Sequence, residues 1–370
     1  VQPGRVLHLG TLALLVATLT AHATSPAPEH PDQPVDGEGR FVNLDGSRPQ
    51  GLGAVFRWAV LDKLAGRRRH SPDRAPVARL EPDPERLAAP PAPGQPARLT
   101  WLGHASWLVQ LDGVSLLIDP ALGPALFGGK ARNVEPGLRP EALPPIDAQL
   151  VTHSHYDHLD LPTLTAVGAP VIAGLGLERL FRASGLFCTE LGWWQAARVG
   201  AVRITFVPAQ HWSRRGLLDG NTTLWGGFVI QGRSATIYHS GDTAWFAGFA
   251  EIGRRFPGID AALLPIGAYD PAWFMERQHL NPEQALAAFA ALGAERFLAM
   301  HWGTFKLTDE PLDEPPRRLE AERLRLGVPA ERVQALAVGE TVEVGGRAER
   351  GGPAERTPGG EPPEAGGRPR

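Results

Sequence analysis

Leu150-Val151-Thr152-His153-Ser154-His155-Tyr156-Asp157-His158 is the stretch that decides how this chain is read. Two apolar residues, as at the end of a buried strand, run directly into four metal-ligating side chains within six positions. A tight loop of this kind aims His153 and His155 at one metal ion and turns Asp157 and His158 toward a second. Dinuclear hydrolytic sites hold their ions about 3.5–4 Å apart, close enough for both halves of one loop to serve them.

Three further strand ends repeat the pattern. Val202–Val207 leads into Pro208-Ala209-Gln210-His211, Ala235–Tyr238 into His239-Ser240-Gly241-Asp242, and Phe297–Met300 into His301-Trp302-Gly303. Ligands of open α/β sheets gather at the carboxyl ends of strands. The expected set is therefore His153, His155 and His211 on one ion, Asp157, His158 and His301 on the other, with Asp242 as a bridge. Two Zn²⁺, two carboxylates and a bridging hydroxide leave a net charge of roughly +1, suited to a monoanion such as a phosphodiester. Each zinc brings the pKa of bound water toward ~7, so no Ser or Cys nucleophile is needed.

Composition is that of an ordinary globular protein. The chain has 370 residues, 43% hydrophobic, and a formal net charge of −3, which argues against disorder, a coiled coil, a polytopic membrane protein or a nucleic-acid partner bound by bulk charge. Cys188 is the single cysteine, which excludes an internal disulfide and a Cys-based zinc cluster. It is expected to be a small buried hydrophobe.

Residues 1–24, with Arg5, the apolar run Val6–Thr20 and Ala21-His22-Ala23, read as a signal peptide or a spurious start. A real signal implies a periplasmic or membrane-associated protein, its absence a cytoplasmic one. Residues 25–97 form a Pro-rich extension that opens as a linker. In it, Leu52, Val55, Phe56, Ala59, Val60 and Leu64 recur at helical spacing before Arg67-Arg68-Arg69-His70. That helix is expected to pack on the main domain, followed by a solvated charge run; membrane-surface contact is the rival reading. Six prolines between Glu81 and Pro96 indicate an extended strap. The compact domain spans 98–344. The tail 345–370 has no large apolar residue and is expected to be disordered.

Within the domain, short aliphatic runs read as strands, including Ser106–Leu111 and Val114–Ile118 joined by an Asp112-Gly113 hairpin. Asn281, Pro282, Gln284 and Gly293 mark the start and stop of a helix. The class is α/β, sheets covered by helices.

The words around the ligands carry a resemblance. His153-x-His155-x-Asp157-His158 with His211, Asp242 and His301 resembles the metallo-β-lactamase superfamily. Leu102-Gly103-His104-Ala105-Ser106, Pro208-Ala209-Gln210-His211-Trp212, Gly241-Asp242-Thr243, Trp273-Phe274-Met275 with Gln278-His279, and His301-Trp302-Gly303-Thr304-Phe305 narrow it to the branch of N-acylphosphatidylethanolamine-hydrolysing phospholipase D. The resemblance covers roughly residues 98 to 310. It implies an αββα sandwich of two mixed sheets flanked by helices. It also implies a dizinc phosphodiesterase that releases N-acylethanolamine and phosphatidic acid, with His279 contacting the substrate. Ser154 stands where this family often has Asn.

Asp157 and His279 are thus the catalytic candidates, and Asp119 a residue that orients a ligand histidine. Trp212, Leu217, Leu218, Trp273 and Phe274 are expected to form an acyl-chain groove. His104 and His239 are read as structural. A phospholipid substrate and peripheral membrane contact are expected partners, and a homodimer is left open. The rival functions are a lactonase or β-lactam hydrolase using the same ligands, and a non-catalytic lipid-binding module.

Overall fold

The computed structural model describes residues 33–346, so the readings of 1–24 and 347–370 lie outside the described residues. Two seven-stranded sheets face each other. The first runs Thr341–Val344, Ala97–Gly103, Ser106–Leu111, Val114–Ile118, Ala148–Val151, Val171–Gly174, Cys188–Leu191. The second runs Val333–Gln334, Arg296–Met300, Ala261–Pro265, Thr236–His239, Gly227–Gln231, Val202–Val207, Ala196–Val199. Both mix parallel and antiparallel pairs, as expected for the αββα sandwich.

Alternation along the strands separates the layers. Leu263, Leu298 and Met300 point between the sheets, where they join Trp101, Trp107, Val109, Ile118 and Phe228. Their neighbours Ala262, Leu264, Phe297 and Ala299 point outward onto Phe249, Ile252, Leu286 and Phe289 of two helices. On the opposite outer face Val151, Val171 and Ala173 meet Leu164 and Phe181. With both faces covered, these strands read as continuous apolar runs rather than alternating ones.

The hairpin signal is realised: Leu111 pairs with Val114, and Asp112 and Gly113 have φ of 50° and 79°, the type I′ pattern. The helix Pro282–Leu292 has the full capping box, Asn281 accepting from Gln284 N and Gln284 from Asn281 N, and ends at Gly293 in the left-handed region.

Strand direction decides where the histidines go. Val202–Val207 and Thr236–His239 are both antiparallel to Gly227–Gln231, and so run the same way as the parallel Ala261–Pro265 and Arg296–Met300. In the other sheet, Ala97–Gly103 is related to Val114–Ile118 by the same two reversals, and Val114–Ile118 is parallel to Ala148–Val151. The residues after Gly103, Ile118, Val151, Val207, His239 and Met300 therefore emerge along one rim.

Four expectations need correction. Asn43, placed in the linker, is buried and bonded into the domain, because its amide satisfies the backbone of His211. The helix at Leu52–Phe56 continues as a π-helical stretch, Arg57–Asp62, which widens the turn and rotates the expected stripe away from the domain. Ala54 and Trp58 face inward instead, packed near Phe274 and Met275, and Val55, Phe56, Leu61 and Leu64 are exposed. The basic run is exposed at Arg67, Arg69 and His70, as expected, and needs correction only in its pairing: Arg67 with Asp62, Arg68 with Asp309, Arg69 with Glu314. Finally, Cys188 is only half-buried on an edge strand, where burial still pushes its thiol up to about 12. Among the described residues, no helix is long and apolar enough to cross a membrane.

Candidate metal centre

The rim gathers all seven expected ligands. His153, His155, His211 and Asp242 form one group and Asp157, His158, His301 and His104 another, each with ligand atoms within 4.8 Å of one another. Asp242 lies between them: Oδ2 is 3.2 Å from His158 Nε2, 3.7 Å from His211 Nε2 and 3.9 Å from His153 Nε2, and Oδ1 is 3.1 Å from His301 Nε2. In the first group His153 Nε2 and His211 Nε2 approach His155 Nδ1 at 2.8 and 3.3 Å.

The surroundings fix which nitrogen faces inward. Asp119 accepts from His158 Nδ1–H at 2.7 Å, from the Thr152 hydroxyl at 2.7 Å and from Thr152 N–H at 2.8 Å. The same Thr152 oxygen accepts from His153 Nδ1–H at 3.0 Å. His211 Nδ1–H donates to the Gln278 carbonyl at 2.8 Å. The Nε2 lone pairs of His153, His158 and His211 are thereby turned toward the centre, as metal ligation requires. Backbone conformation contributes as well. His104, Asp119 and His301 have φ of 54°, 42° and 61°, a costly region that persists where the surroundings enforce it. At Gly241 a Cβ would meet Gly226 O at 2.7 Å and Thr152 Cβ at 2.9 Å, so only glycine lets the Asp242 turn close on the His153 loop.

Electrostatics match a cation site. Burial lowers His155 to about 3 and His211 to about 4, and lowers His153 and His279 well below the usual range, so these imidazoles are neutral at pH 7. Burial acts the same way on His301, but Asp242 and Asp157 outweigh it and raise it to about 9; His158 is raised too. Burial would raise Asp157 and Asp242, yet the adjacent His158 holds both well below the carboxylate range. Two buried carboxylates thus retain protons on two histidines, positions that a bound cation would take over.

The fit to metal rests on orphaned atoms. His158 Nε2, His301 Nε2 and Asp242 Oδ1 are buried without a hydrogen-bond partner, a costly arrangement for groups directed at one centre. Imidazole nitrogens and carboxylates suit zinc and other divalent first-row ions.

The remaining candidates are distributed unevenly. His279 Nδ1 lies 3.9 Å from Asp242 Oδ2 and its ring 5.2 Å from that of His211, at the mouth of the cluster. Trp212 stands edge-on to His155 at 4.5 Å. Leu217 and Leu218 are 88% and 86% exposed on a loop and form no groove wall. Trp273 lies under the Arg57 guanidinium, and Phe274 is buried in a stack with Trp58 at 5.2 Å, where it packs rather than lines a surface. His239 is structural: it bonds the Ala105 carbonyl at 3.1 Å and Gly241 N–H at 3.1 Å.

Sequence reasoning undervalued His104. Its Nε2–H donates to Asp157 Oδ2 at 2.9 Å and its ring lies 4.0 Å from that of His301, so it orients a candidate ligand. Its signal was Gly103-His104 after a strand, the same strand-end placement that singled out His301. Asn43 carried no signal, since it acts from 168 positions away.

Residues 115–302 match the Beta-lactamase superfamily domain. An uncharacterised protein of Mycobacterium tuberculosis is 35% identical over 333 residues, covering 85% of this chain and 87% of its own. N-acyl-phosphatidylethanolamine-hydrolyzing phospholipase D 1 of Caenorhabditis elegans is 35% identical over 242 residues, 60% of this chain and 68% of its own. A metallo hydrolase of the archaeon Ignicoccus hospitalis superposes with a TM-score of 0.50 at 26% identity, covering 67% of this chain and 97% of its own.

Proposed function

The chain belongs to the metallo-β-lactamase superfamily of metal-dependent hydrolases, and from that premise we propose that it is a dizinc phosphodiesterase cleaving an N-acylphosphatidylethanolamine-type phospholipid to N-acylethanolamine and phosphatidic acid. The observation that carries the reading is Asp242 set between a three-histidine group and the Asp157, His158, His301 group. We assign His153, His155 and His211 to one ion, Asp157, His158 and His301 to the other, and Asp242 to both. When bound, two divalent ions supply a Lewis acid and an activated water at neutral pH.

The residues of the chain do the rest. His104 engages one oxygen of Asp157 and leaves the carboxylate ionised, able to orient the attacking water. His279, neutral and unpartnered at Nδ1, is available to hydrogen-bond the substrate at the cluster mouth. Trp212 covers His155 and supplies an apolar wall beside the reacting phosphate. Exposed Val55, Phe56, Leu61 and Leu64 on one short helical segment are read as the contact with the lipid surface, with Leu217 and Leu218 as a second apolar loop. The sequence match to the nematode phospholipase favours phosphodiester cleavage over the carbonyl chemistry of a lactonase or β-lactam hydrolase.

The test is a panel of N-acylphosphatidylethanolamine vesicles, a lactone and a β-lactam, offered to zinc-loaded enzyme with products followed by mass spectrometry. The reading predicts release of N-acylethanolamine, lost in His301→Ala. Faster turnover of the lactone or β-lactam, with no N-acylethanolamine released, would replace it.

A further inference from the structure

The Arg67-Arg68-Arg69-His70 run takes no part in the site above, yet it borders a second concavity. Where the strap after the exposed helix meets the loop that follows His301, a pocket of about 220 Å³ is lined by Lys63, Arg68, Arg69, His70, Lys130 and Lys306. Three separate segments supply these cations, so their convergence is a product of the fold and not of the run alone.

The charges do not all cancel. Asp309 neutralises Arg68 and Glu314 neutralises Arg69. Lys63 and Lys130 have no acidic partner among the described residues. The Lys306 ammonium is half-buried and bonded to the Ser71 hydroxyl and the Thr308 carbonyl, both at 2.6 Å, and to the Glu310 carbonyl, none of which carries charge. Against these three lysines stand Asp73 in the lining and the Glu310 carboxylate, which acts on Lys306, so one positive charge remains beside the paired Arg68 and Arg69. Lys63 and Lys130 are exposed at the rim and Lys306 is half-buried with its hydrogen bonds all on neutral oxygens, so an anion in the pocket would add the charge-assisted partner that these ammonium groups lack. Burial lowers the Lys306 pKa by more than Glu310, Asp309 and Asp73 raise it.

We propose that this pocket binds a phosphate group, free or on a lipid headgroup, between Lys63, Lys130 and Lys306. A phosphate group is anionic at pH 7 and presents several acceptor oxygens, which ammonium groups from three segments can bond at once. The site is separate from the His/Asp cluster and does not depend on the catalytic reading.

The experiment uses metal-loaded protein and two probes. Inorganic phosphate is titrated by calorimetry into the wild type, the double variant Lys63→Glu/Lys130→Glu, and the control Arg198→Glu, an exposed arginine on a distant edge strand. Co-sedimentation with phosphatidylcholine vesicles, with and without phosphatidate, is run in parallel. The expected result is a phosphate site weakened at least about tenfold in the double variant and unchanged in the control. Phosphate held by the metal centre would remain in both. If phosphatidate vesicles bind through the same lysines, the occupant is a lipid headgroup; if inorganic phosphate alone binds, it is a soluble phosphate. Equal phosphate affinity and stoichiometry in wild type and double variant would overturn the proposal.

Discussion

Asp119 puts no atom on the proposed ions, yet His158, the Thr152 hydroxyl and the Thr152 amide all converge on its carboxylate. Removing it frees two ligand histidines to rotate, one directly and one through Thr152. Asp119→Ala should therefore weaken metal affinity about 10–100-fold in a chelator competition, with the fold retained by circular dichroism. Asn43 makes a similar contribution from outside the domain core. It accepts from His211 N–H and Trp225 Nε1–H and donates to the His211 carbonyl. Asn43→Ala leaves the buried His211 N–H and carbonyl unpaired, while Trp225 keeps the Ala209 carbonyl, and should cost about 1–3 kcal/mol in urea unfolding. The seven expected ligands were legible because ligand type and strand-end position coincide in the sequence. Asn43 was not, because a backbone-bonding amide has no compositional signature, and His104 was read as structural for want of a visible partner.

Elements were legible where a local rule acts alone. The Asn281 capping box satisfies orphan N–H groups at a helix start regardless of tertiary context, and Asn281→Ala should cost about 1 kcal/mol by thermal or urea unfolding. The helix beginning at Leu52 shows the opposite case. Apolar spacing pointed its stripe inward, but the π-helical stretch and the Trp58–Phe274 stack set the register instead. The outward face should then tolerate polar substitution: Phe56→Ser with Leu64→Ser should change stability by no more than about 0.5 kcal/mol. The same variant should sediment less with lipid vesicles if that face meets a membrane; unchanged sedimentation would remove the lipid-contact reading. Short edge strands such as Ala196–Val199 and Cys188–Leu191 escaped notice because half-buried, polar-flanked runs of four residues resemble loops.

At the scale of the molecule, two equal sheets and paired strand reversals deliver every ligand loop to one rim. An α/β class of sheets covered by helices was legible from the alternation of aliphatic runs with helix signals, and the αββα sandwich only from the resemblance; the pairing order depends on long-range contacts that no local pattern encodes. Because the ligands come from both sheets, a bound cation ties the layers together and should stabilise the native state by linkage. Chelation is therefore expected to lower the unfolding temperature by several degrees in calorimetry, and re-addition of zinc to restore it.

Metal stoichiometry tests the central claim most directly. Plasma mass spectrometry of dialysed protein should find about two divalent ions per chain, falling to about one in His211→Ala and in His301→Ala. A wild type holding one ion or none, or variants that keep both, would contradict a dinuclear centre bridged by Asp242.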